Sequence, residues 1–283
     1  MTKTNLSTKQ ENTWCPGCTN FLILEAVKKA LSKTIEKGTK QEEIAMVTGI
    51  GCHAKIFDYL NISGIYGLHG RVLPTALGIK LGNPNLTVLG FAGDGDTYAE
   101  GMAHFIHAGR YNSDMTLIVH NNQAFSLTTG QATPVSQEHY VNKAEPLGEF
   151  NHPLNPIKLA LCSGASFVAR CNAKDIEHTS QIIEKAIEHN GFSFVEIIQN
   201  CLIFNKEMNE LDNLFYKIEN KENKKTELKE AIKLSDKWDY NSNTEKIPIG
   251  IFYSQEKPTL EEKWPQLSKL KNKKISWKDL KNN

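Results

Sequence analysis

The spacing of four cysteines favours a metal centre. Cys15 and Cys18 form a Cys-Pro-Gly-Cys turn directly before a predicted helix, while Cys52 and Cys201 each follow a predicted strand. Four such thiolates fit either a [4Fe–4S] cluster or a structural zinc ion, and the Cys-Pro-Gly-Cys turn alone also fits a redox dithiol. The two remaining cysteines flank an apolar stretch and are predicted to be buried packing residues: Cys162 and Cys171.

A second group of residues is suited to a diphosphate and Mg²⁺. Gly-Asp-Gly-Asp at 93–96 ends a predicted strand and opens a helix, and Asn-Asn at 121–122 ends the next strand. Glycines let the backbone approach a diphosphate, and a helix N-terminus offers free N–H groups. Asp94 and Asn122 supply hard oxygen ligands for Mg²⁺, and the Ala124 carbonyl is well placed to be another. Each motif alone is usually a turn, but the pair resembles the thiamine diphosphate motif.

Short apolar strands that alternate with helices must position these residues. The patterns predict strands at 44–49, 86–92, 115–119, 166–170 and 192–198, and helices at 19–35, 71–81, 97–110, 156–162 and 175–189. This alternation predicts an α/β fold with a doubly wound parallel sheet. Ligands of such folds bind at the carboxyl ends of the strands, where both groups of residues are expected to lie.

The chain divides into three parts by composition. Residues 1–13 are polar and predicted to be a flexible N-terminus, and residues 14–206 form the predicted cofactor-binding domain. The chain from 207 to 283 is rich in lysine, glutamate and asparagine with isolated apolar stretches, and it is predicted to be an extension that packs on the core or on a partner. The segment 123–155 has many turn residues, and a loop of this length in a compact domain is usually functional or docked on something.

Charge and hydropathy exclude several classes of function. The 283 residues carry a formal net charge of +1, which gives no reason to expect nucleic acid or a membrane surface as a partner. No apolar run is long enough to cross a bilayer, and the N-terminus lacks the apolar segment of a signal peptide. We therefore expect a cytoplasmic protein.

Taken in order, several motifs resemble one family of enzymes. They are WCPGC at 14–18, GIGC at 49–52, HGR at 69–71, GIKLGNP at 78–84, GDGD at 93–96, HNN at 120–122 and the later Cys201. This series resembles the β subunit of 2-oxoacid:ferredoxin oxidoreductases, and IPIGIFY at 247–253 resembles the C-terminal extension of the archaeal, 2-oxoglutarate-like type. The resemblance implies oxidative decarboxylation of a 2-oxoacid (2-oxoglutarate, pyruvate or a broad range), with coenzyme A taking the acyl group and ferredoxin taking the electrons.

The resemblance also implies roles for individual residues. It implies one [4Fe–4S] cluster on Cys15, Cys18, Cys52 and Cys201, and Mg²⁺ on Asp94, Asn122 and the Ala124 carbonyl. Thiamine diphosphate would be lined by Ile50, Gly51, Cys52, His53, Gly93, Gly95, Asp96, Ser126 and Leu127. Asp96 would either touch phosphate with its backbone N–H or cap the helix. Lys55 matches a position suited to binding a substrate carboxylate, and the alternative is a solvated surface lysine. His69 and Arg71 are expected to contact the cofactor or another subunit, and the alternative is a buried structural pair.

The chain departs from the family pattern at four positions. Thr19 and Ser126 replace glycines, His53 replaces a serine, and Thr129 replaces a lysine near the expected substrate region, so the substrate preference is open. The glutamate that activates the aminopyrimidine comes from a partner subunit in this family. We therefore expect a hetero-oligomer with an α (or fused αγ) subunit, without which the chain is inactive. The alternatives are a non-oxidative thiamine diphosphate decarboxylase subunit and a non-catalytic zinc-binding relative.

Overall fold

An eight-stranded sheet forms the centre of the protein. The computed structural model describes residues 5–218, 226–273 and 277–280. The strands are β1 Ile44–Thr48, β2 Ser63–Tyr66, β3 Thr87–Gly93, β4 Met115–Asn121, β5 Phe167–Asn172, β6 Phe192–Ile198, β7 Phe215–Lys217 and β8 Ile247–Ser254. They lie in the order β2-β1-β3-β4-β6-β5-β8-β7, with β8 antiparallel to β5 and the other neighbours parallel.

Helices cover both faces of the sheet. They are α1 Asn20–Glu36, α2 Ile56–Tyr59, α3 Val72–Gly82, α4 Met102–Tyr111, α5 Pro156–Ser163, α6 Ile176–Glu188, α7 Leu228–Ser235, α8 Leu260–Lys263 and α9 Pro265–Lys273. Helices α1 and α6 share one apolar core with the sheet, while α3, α4, α5 and α7 contribute to the other. This arrangement confirms the α/β fold class. Among the described residues, no helix is long and apolar enough to cross a membrane.

Local sequence explains where the main helices begin and end. Helix α1 buries residues at helical spacing, including Val27 and Leu31, and the chain turns away at Gly38 with φ +113°. Helix α5 begins with Pro156, and the Asn155 side chain accepts the N–H of Lys158. These local signals account for the end of α1 and the start of α5.

The five predicted strands are all present, and four predicted helices match within a residue or two. The predicted helix at 97–110 is divided, because a π-helical turn at Asp96–Glu100 precedes α4. Strand β2 was not predicted from the sequence, and its side chains are exposed. The segment 247–253 was predicted only as an isolated apolar stretch, whereas β8 continues the sheet beside β5, so the sheet is mixed at this edge.

A buried ion pair fastens the C-terminal part of the chain to this sheet. Arg170 on β5 is fully buried and donates to the Glu196 carboxylate on β6 at 3.1 Å. Its guanidinium also donates to the Tyr240 hydroxyl at 2.6 Å and lies over the rings of Trp238, Tyr240 and Phe252. Residues beyond 206 therefore complete the core around β5 and β6.

The first described residues also contact the domain. Leu6 is buried, Ser7 pairs with Leu60, and the Tyr59 hydroxyl accepts the backbone N–H of Thr13 at 2.9 Å. The division of the chain at residues 14 and 207 stays a prediction.

Candidate functional site

A cleft lies at the carboxyl ends of the parallel strands. Its empty volume is about 460 Å³, and it opens to solvent between the loops that follow β1, β3, β4 and β6. Its walls include the nine residues expected to line the cofactor, together with the three expected magnesium ligands: Ile50, Gly51, Cys52, His53, Gly93, Gly95, Asp96, Ser126 and Leu127, with Asp94, Asn122 and Ala124. The fold thus brings all of these positions into one cavity.

Glycine is required at two points of the cleft wall. A Cβ atom added at Gly95 would lie 2.1 Å from the ring of Phe125, and one added at Gly93 would lie 2.8 Å from Nδ1 of His53. Both distances are shorter than packed atoms allow, so neither position accepts a side chain without movement of its neighbour. At these two positions the backbone of the Gly-Asp-Gly-Asp segment packs directly against Phe125 and His53, which any larger residue would displace.

The three expected magnesium ligands line the same cleft. Asp94, Asn122 and Ala124 are all buried. The Asn122 side-chain oxygen accepts the backbone N–H of Ala124 at 3.1 Å, and Asn205 donates to the Asn122 carbonyl at 3.0 Å. The tight turn after β4 therefore holds an amide oxygen and a backbone carbonyl beside the Asp94 carboxylate.

Asp94 is a buried carboxylate without a cationic side chain. Its carboxylate accepts the Thr133 hydroxyl at 2.6 Å, and it forms no ion pair with any described residue. Burial raises the pKa of Asp94 to about 7, against the lowering effect of the Thr133 and Asn122 hydrogen bonds. A bound divalent cation would remove this penalty by favouring the ionised form.

Asp96 joins three loops. Nε2 of His53 lies 3.1 Å from one carboxylate oxygen of Asp96, and the backbone N–H of Gly70 donates to the other. A Cβ atom at Gly49 would lie 1.7 Å from the same carboxylate. The carboxylate makes no capping bond to the turn that it begins, so the expectation of a helix cap is wrong. The alternative, a backbone contact to phosphate, stays a prediction.

The four cysteines of interest gather next to the cleft. Cys15 and Cys18 share a turn closed by the N–H of Cys18 on the Cys15 carbonyl at 3.0 Å, and the Trp14 indole donates to the Cys52 carbonyl at 2.6 Å. Burial, together with the smaller effects of nearby Cys18, Cys201 and Cys15, raises the pKa of the Cys52 thiol to about 11. The thiols are thus close enough to act on one another electrostatically.

These thiols do not converge on a single point. Within the described ranges, no group of three or more His, Cys, Asp or Glu side chains is arranged to hold one metal ion. Zinc binds its thiolates at about 2.3 Å from one centre, whereas the cysteines of a [4Fe–4S] cluster each bind a different iron atom.

Of the three remaining candidates, the structure places only His69 in the cleft wall. Nδ1 of His69 lies 3.0 Å from a carboxylate oxygen of Glu100. The ammonium of Lys55 donates to the Thr13 carbonyl at 3.1 Å, and Arg71 is exposed, with its guanidinium 2.7 Å from Nε2 of His104. Neither cation lines the cleft, so the geometry gives no support to substrate or cofactor contacts by Lys55 and Arg71 within this chain. Lys55 does lie near enough to Cys52 to lower the pKa of its thiol.

Four further residues line the cleft that the sequence analysis did not select: His120, Phe125, Thr128 and Gln199. His120 lies at the end of β4, and Gln199 follows β6. Their place at the carboxyl ends of parallel strands could have identified them as residues of the cleft. Burial lowers the pKa of His120 well below its usual value, so the ring is neutral, and its Nε2 has no hydrogen-bond partner among the described residues.

Comparison with known families agrees with this geometry. Residues 49–197 match the model "Thiamine pyrophosphate enzyme, C-terminal TPP binding domain", which spans the strands around the cleft. Residues 201–269 match the model of the C-terminal part of the pyruvate ferredoxin oxidoreductase beta chain. The second match begins at Cys201 and covers the C-terminal part of the chain, directly after the first match ends.

Individual relatives are similar over most of their length. The chain is 41% identical over 261 residues to the 2-oxoacid:ferredoxin oxidoreductase subunit beta of Saccharolobus solfataricus, covering 87% of this chain and 82% of the relative. It is 40% identical over 188 residues to the 2-oxoglutarate synthase subunit KorB of Archaeoglobus fulgidus, covering 66% of this chain and 69% of the relative.

A solved structure shares the fold. It is a 2-oxoglutarate:ferredoxin oxidoreductase from Magnetococcus marinus with 2-oxoglutarate, coenzyme A and succinyl-CoA bound, and it matches with a TM-score of 0.86 at 30% identity, covering 95% of this chain and 89% of that chain. The family expected from the motifs is confirmed by these matches. The chain belongs to the family of 2-oxoacid:ferredoxin oxidoreductase β subunits.

Proposed function

We propose that the cleft binds thiamine diphosphate with Mg²⁺ and that the adjacent cysteines carry a [4Fe–4S] cluster for oxidation of a 2-oxoacid. The observation that carries the proposal is the single cavity lined by both the Gly-Asp-Gly-Asp backbone and the Asn122 turn, directly beside Cys52. Cys52 belongs to both groups, since it lines the cleft and lies near the other three thiols.

The residues of the cleft fit the cofactor. Asp94, Asn122 and the Ala124 carbonyl would hold Mg²⁺, and the Gly-Asp-Gly-Asp backbone that lines the cleft would receive the diphosphate. When bound, thiamine diphosphate supplies a nucleophilic carbon and an electron sink for loss of CO₂ from a 2-oxoacid. The unpartnered Nε2 of buried His120 also indicates that the cleft accommodates a polar ligand, because buried polar groups are seldom left without a partner.

The cysteines would hold the cluster that accepts electrons from the oxidised substrate. A cluster on Cys15, Cys18, Cys52 and Cys201 would lie at the cleft wall, where Cys52 is a member of both sites. The N–H of Phe204 donates to the Cys201 sulfur at 3.5 Å, as is common around iron–sulfur ligands. An iron–sulfur cluster accepts one electron at a time and would pass it to ferredoxin, the acceptor named for the relatives.

The substrates follow from the names of the relatives. The curated relatives are named for 2-oxoacids or 2-oxoglutarate, and the similar structure holds 2-oxoglutarate, coenzyme A and succinyl-CoA. We assign this chain the same class of reaction, a coenzyme A-dependent oxidative decarboxylation of a 2-oxoacid.

A partner subunit would complete the site. Large apolar side chains are exposed on loops at the same edge of the sheet as the cleft, and they are the kind of surface that another protein covers: Leu68, Leu127, Leu147, Phe150 and Ile203. We propose that an α (or fused αγ) subunit docks on this edge and supplies the glutamate that activates the cofactor.

Anaerobic purification of the chain, alone and with its α subunit, tests the proposal. We expect a brown protein with iron and acid-labile sulfide in a ratio suited to one [4Fe–4S] cluster, and thiamine diphosphate binding that requires Mg²⁺. With the α subunit, a panel of 2-oxoacids should give coenzyme A-dependent reduction of ferredoxin. The chain alone should give none.

Each alternative has its own signature. Colourless protein with stoichiometric zinc would contradict the cluster and favour the non-catalytic zinc-binding relative. Aldehyde formation without reduction of ferredoxin would contradict the oxidative reaction and favour a non-oxidative decarboxylase.

A further inference from the structure

A buried asparagine contacts the sulfur of Cys18. Asn20 is the first residue of α1 and is fully buried. Its side-chain amide donates to the Cys18 sulfur at 3.5 Å, and its backbone N–H donates to the same atom. Both bonds stabilise negative charge on this sulfur.

The orientation of this amide is fixed by a histidine from another element. His120, at the end of β4, is buried, and its Nδ1 lies 2.8 Å from the side-chain oxygen of Asn20. An amide oxygen can only accept, so Nδ1 of His120 must carry the proton. With the oxygen held by His120, the amide nitrogen of Asn20 faces Cys18.

The histidine has no competing bond that would explain its position. Its other ring nitrogen, Nε2, has no partner among the described residues, while the ring itself lines the cleft. Among the described residues the Nδ1 contact with Asn20 is thus the hydrogen bond of this ring, which also packs against the rings of Phe91 and His53. Residues from α1 and β4, which are far apart in the chain, are joined at this point.

We propose that Asn20 and His120 are positioning residues that set the reduction potential of the cluster through the Cys18 sulfur. This inference rests on the cluster proposed above. An N–H···S bond stabilises the more negative, reduced state of an iron–sulfur cluster, and so raises its reduction potential. Asn20 supplies the side-chain bond, and His120 keeps the amide from rotating away.

The full-length chain, purified anaerobically, provides the test. The variants are Asn20→Leu, which removes the side-chain donor at similar volume, His120→Phe, which keeps a ring but removes both nitrogens, and the double variant. His189→Phe is the matched control, because His189 is also buried but bonds to Ser166, outside the cleft wall. Iron and sulfide content is measured first, followed by the midpoint potential in a redox titration monitored by electron paramagnetic resonance.

We expect full cluster content and a more negative midpoint potential for both single variants. The double variant should match Asn20→Leu, because His120 acts through Asn20, and the control should keep the wild-type potential. Unchanged potentials in both single variants with intact clusters would overturn the inference. A shift in Asn20→Leu alone would overturn the role of His120.

A measurement on the wild-type protein tests the arrangement even if the variants lose the cluster. Nitrogen-15 NMR of histidine-labelled, oxidised protein should show His120 protonated on Nδ1, which is the tautomer that the Asn20 contact requires. Protonation on Nε2 instead would contradict the arrangement. A wild-type protein without iron would instead refute the proposed function, and the inference would fall with it.

Discussion

Gly95 lies in a part of the cleft wall that has no room for a side chain. A Cβ atom there would lie 2.1 Å from the Phe125 ring, which also lines the cavity. We therefore expect Gly95→Ala to push Phe125 out of place and to weaken Mg²⁺-dependent thiamine diphosphate binding at least tenfold, a change of about 1.4 kcal/mol in binding free energy. Isothermal titration calorimetry measures this directly.

Gly78 provides the matched control for this substitution. It is an exposed residue within α3, and an added Cβ would meet nothing within 4 Å. Gly78→Ala should leave binding unchanged and stabilise the fold by about 0.5–1 kcal/mol, because alanine is the better helix former. Equal binding by the two variants would show that the contact with Phe125 does not matter.

Asp94 combines a cost in stability with a role in binding. Its pKa in the folded chain is raised from 3.8 to about 7, so the folded state binds more protons than the unfolded state between these values. The stability of the magnesium-free chain therefore falls as the pH rises from about 4 to about 7, and the full cost applies above that.

Substitution by asparagine should reveal this cost. In the absence of Mg²⁺, we expect Asp94→Asn to stabilise the chain by a few kcal/mol at pH 8, at about 1.4 kcal/mol per unit of pKa, and by much less near pH 4. It should also abolish Mg²⁺-dependent cofactor binding. Urea unfolding at both pH values checks the result, with Asp58→Asn at an exposed carboxylate as the control. A destabilised variant at pH 8 would contradict the explanation.

At the scale of elements, Glu196 on β6 connects the C-terminal part of the chain to the site. Its carboxylate accepts the side-chain amide of Asn121 at 2.9 Å, beside the expected magnesium ligand Asn122. The same carboxylate accepts from Arg170 and from the Tyr240 hydroxyl. Tyr240 also accepts the Gln123 amide with its carbonyl at 3.0 Å, so it supports the turn after β4 from two directions.

Removal of one hydroxyl tests this connection. Tyr240→Phe leaves Arg170 and Glu196 each with one buried partner fewer, and we expect a loss of about 1–3 kcal/mol in the free energy of unfolding. Urea denaturation followed by circular dichroism measures it. Tyr111→Phe, at a partly exposed position, should change stability by less than about 0.5 kcal/mol. A neutral Tyr240→Phe would show that the network contributes no net stability.

The sequence predicted the elements whose signals are local. Strands such as β4 and β6 are mainly apolar, and the motifs at the carboxyl ends of the strands located the cleft. The β2 strand carries exposed side chains and so lacks that signal, while the place of β8 beside β5 depends on residues eighty or more positions apart. Lys55 follows the Gly-Ile-Gly-Cys motif closely, but its ammonium donates to the Thr13 carbonyl, a contact that sequence spacing does not reveal, and its role at a substrate carboxylate stays a prediction.

At the scale of the whole molecule, the exposed apolar residues concentrate at one edge. Leu147 and Phe150 are 80% and 74% exposed, and both lie in the long loop after β4. Monomeric proteins seldom leave such side chains uncovered together. We expect the double substitution Leu147→Ser and Phe150→Ser to weaken association with the α subunit without lowering the stability of the isolated chain.

Size-exclusion chromatography after co-expression of the two partners tests this expectation. The wild-type chain should elute with its partner, and the double variant should elute largely alone while still holding its cluster. Leu228→Ser, on the separate helix α7, is the control and should not affect association. Normal co-elution of the double variant would place the interface elsewhere.

The cleft and the cysteines lie at the carboxyl ends of the strands, so an attachment point at the amino end of β1 would be remote from both. The exposed turn at Gly38, between α1 and β1, lies at that end, and a Cβ atom added there meets no neighbouring atom within 4 Å. If the cysteines carry the proposed cluster, a cysteine-reactive anchor is unsuitable, but a short peptide tag inserted at this turn would hold the molecule on a surface with its cleft towards the solution. In the complex with the α subunit, reduction of soluble ferredoxin by such oriented protein could then be followed.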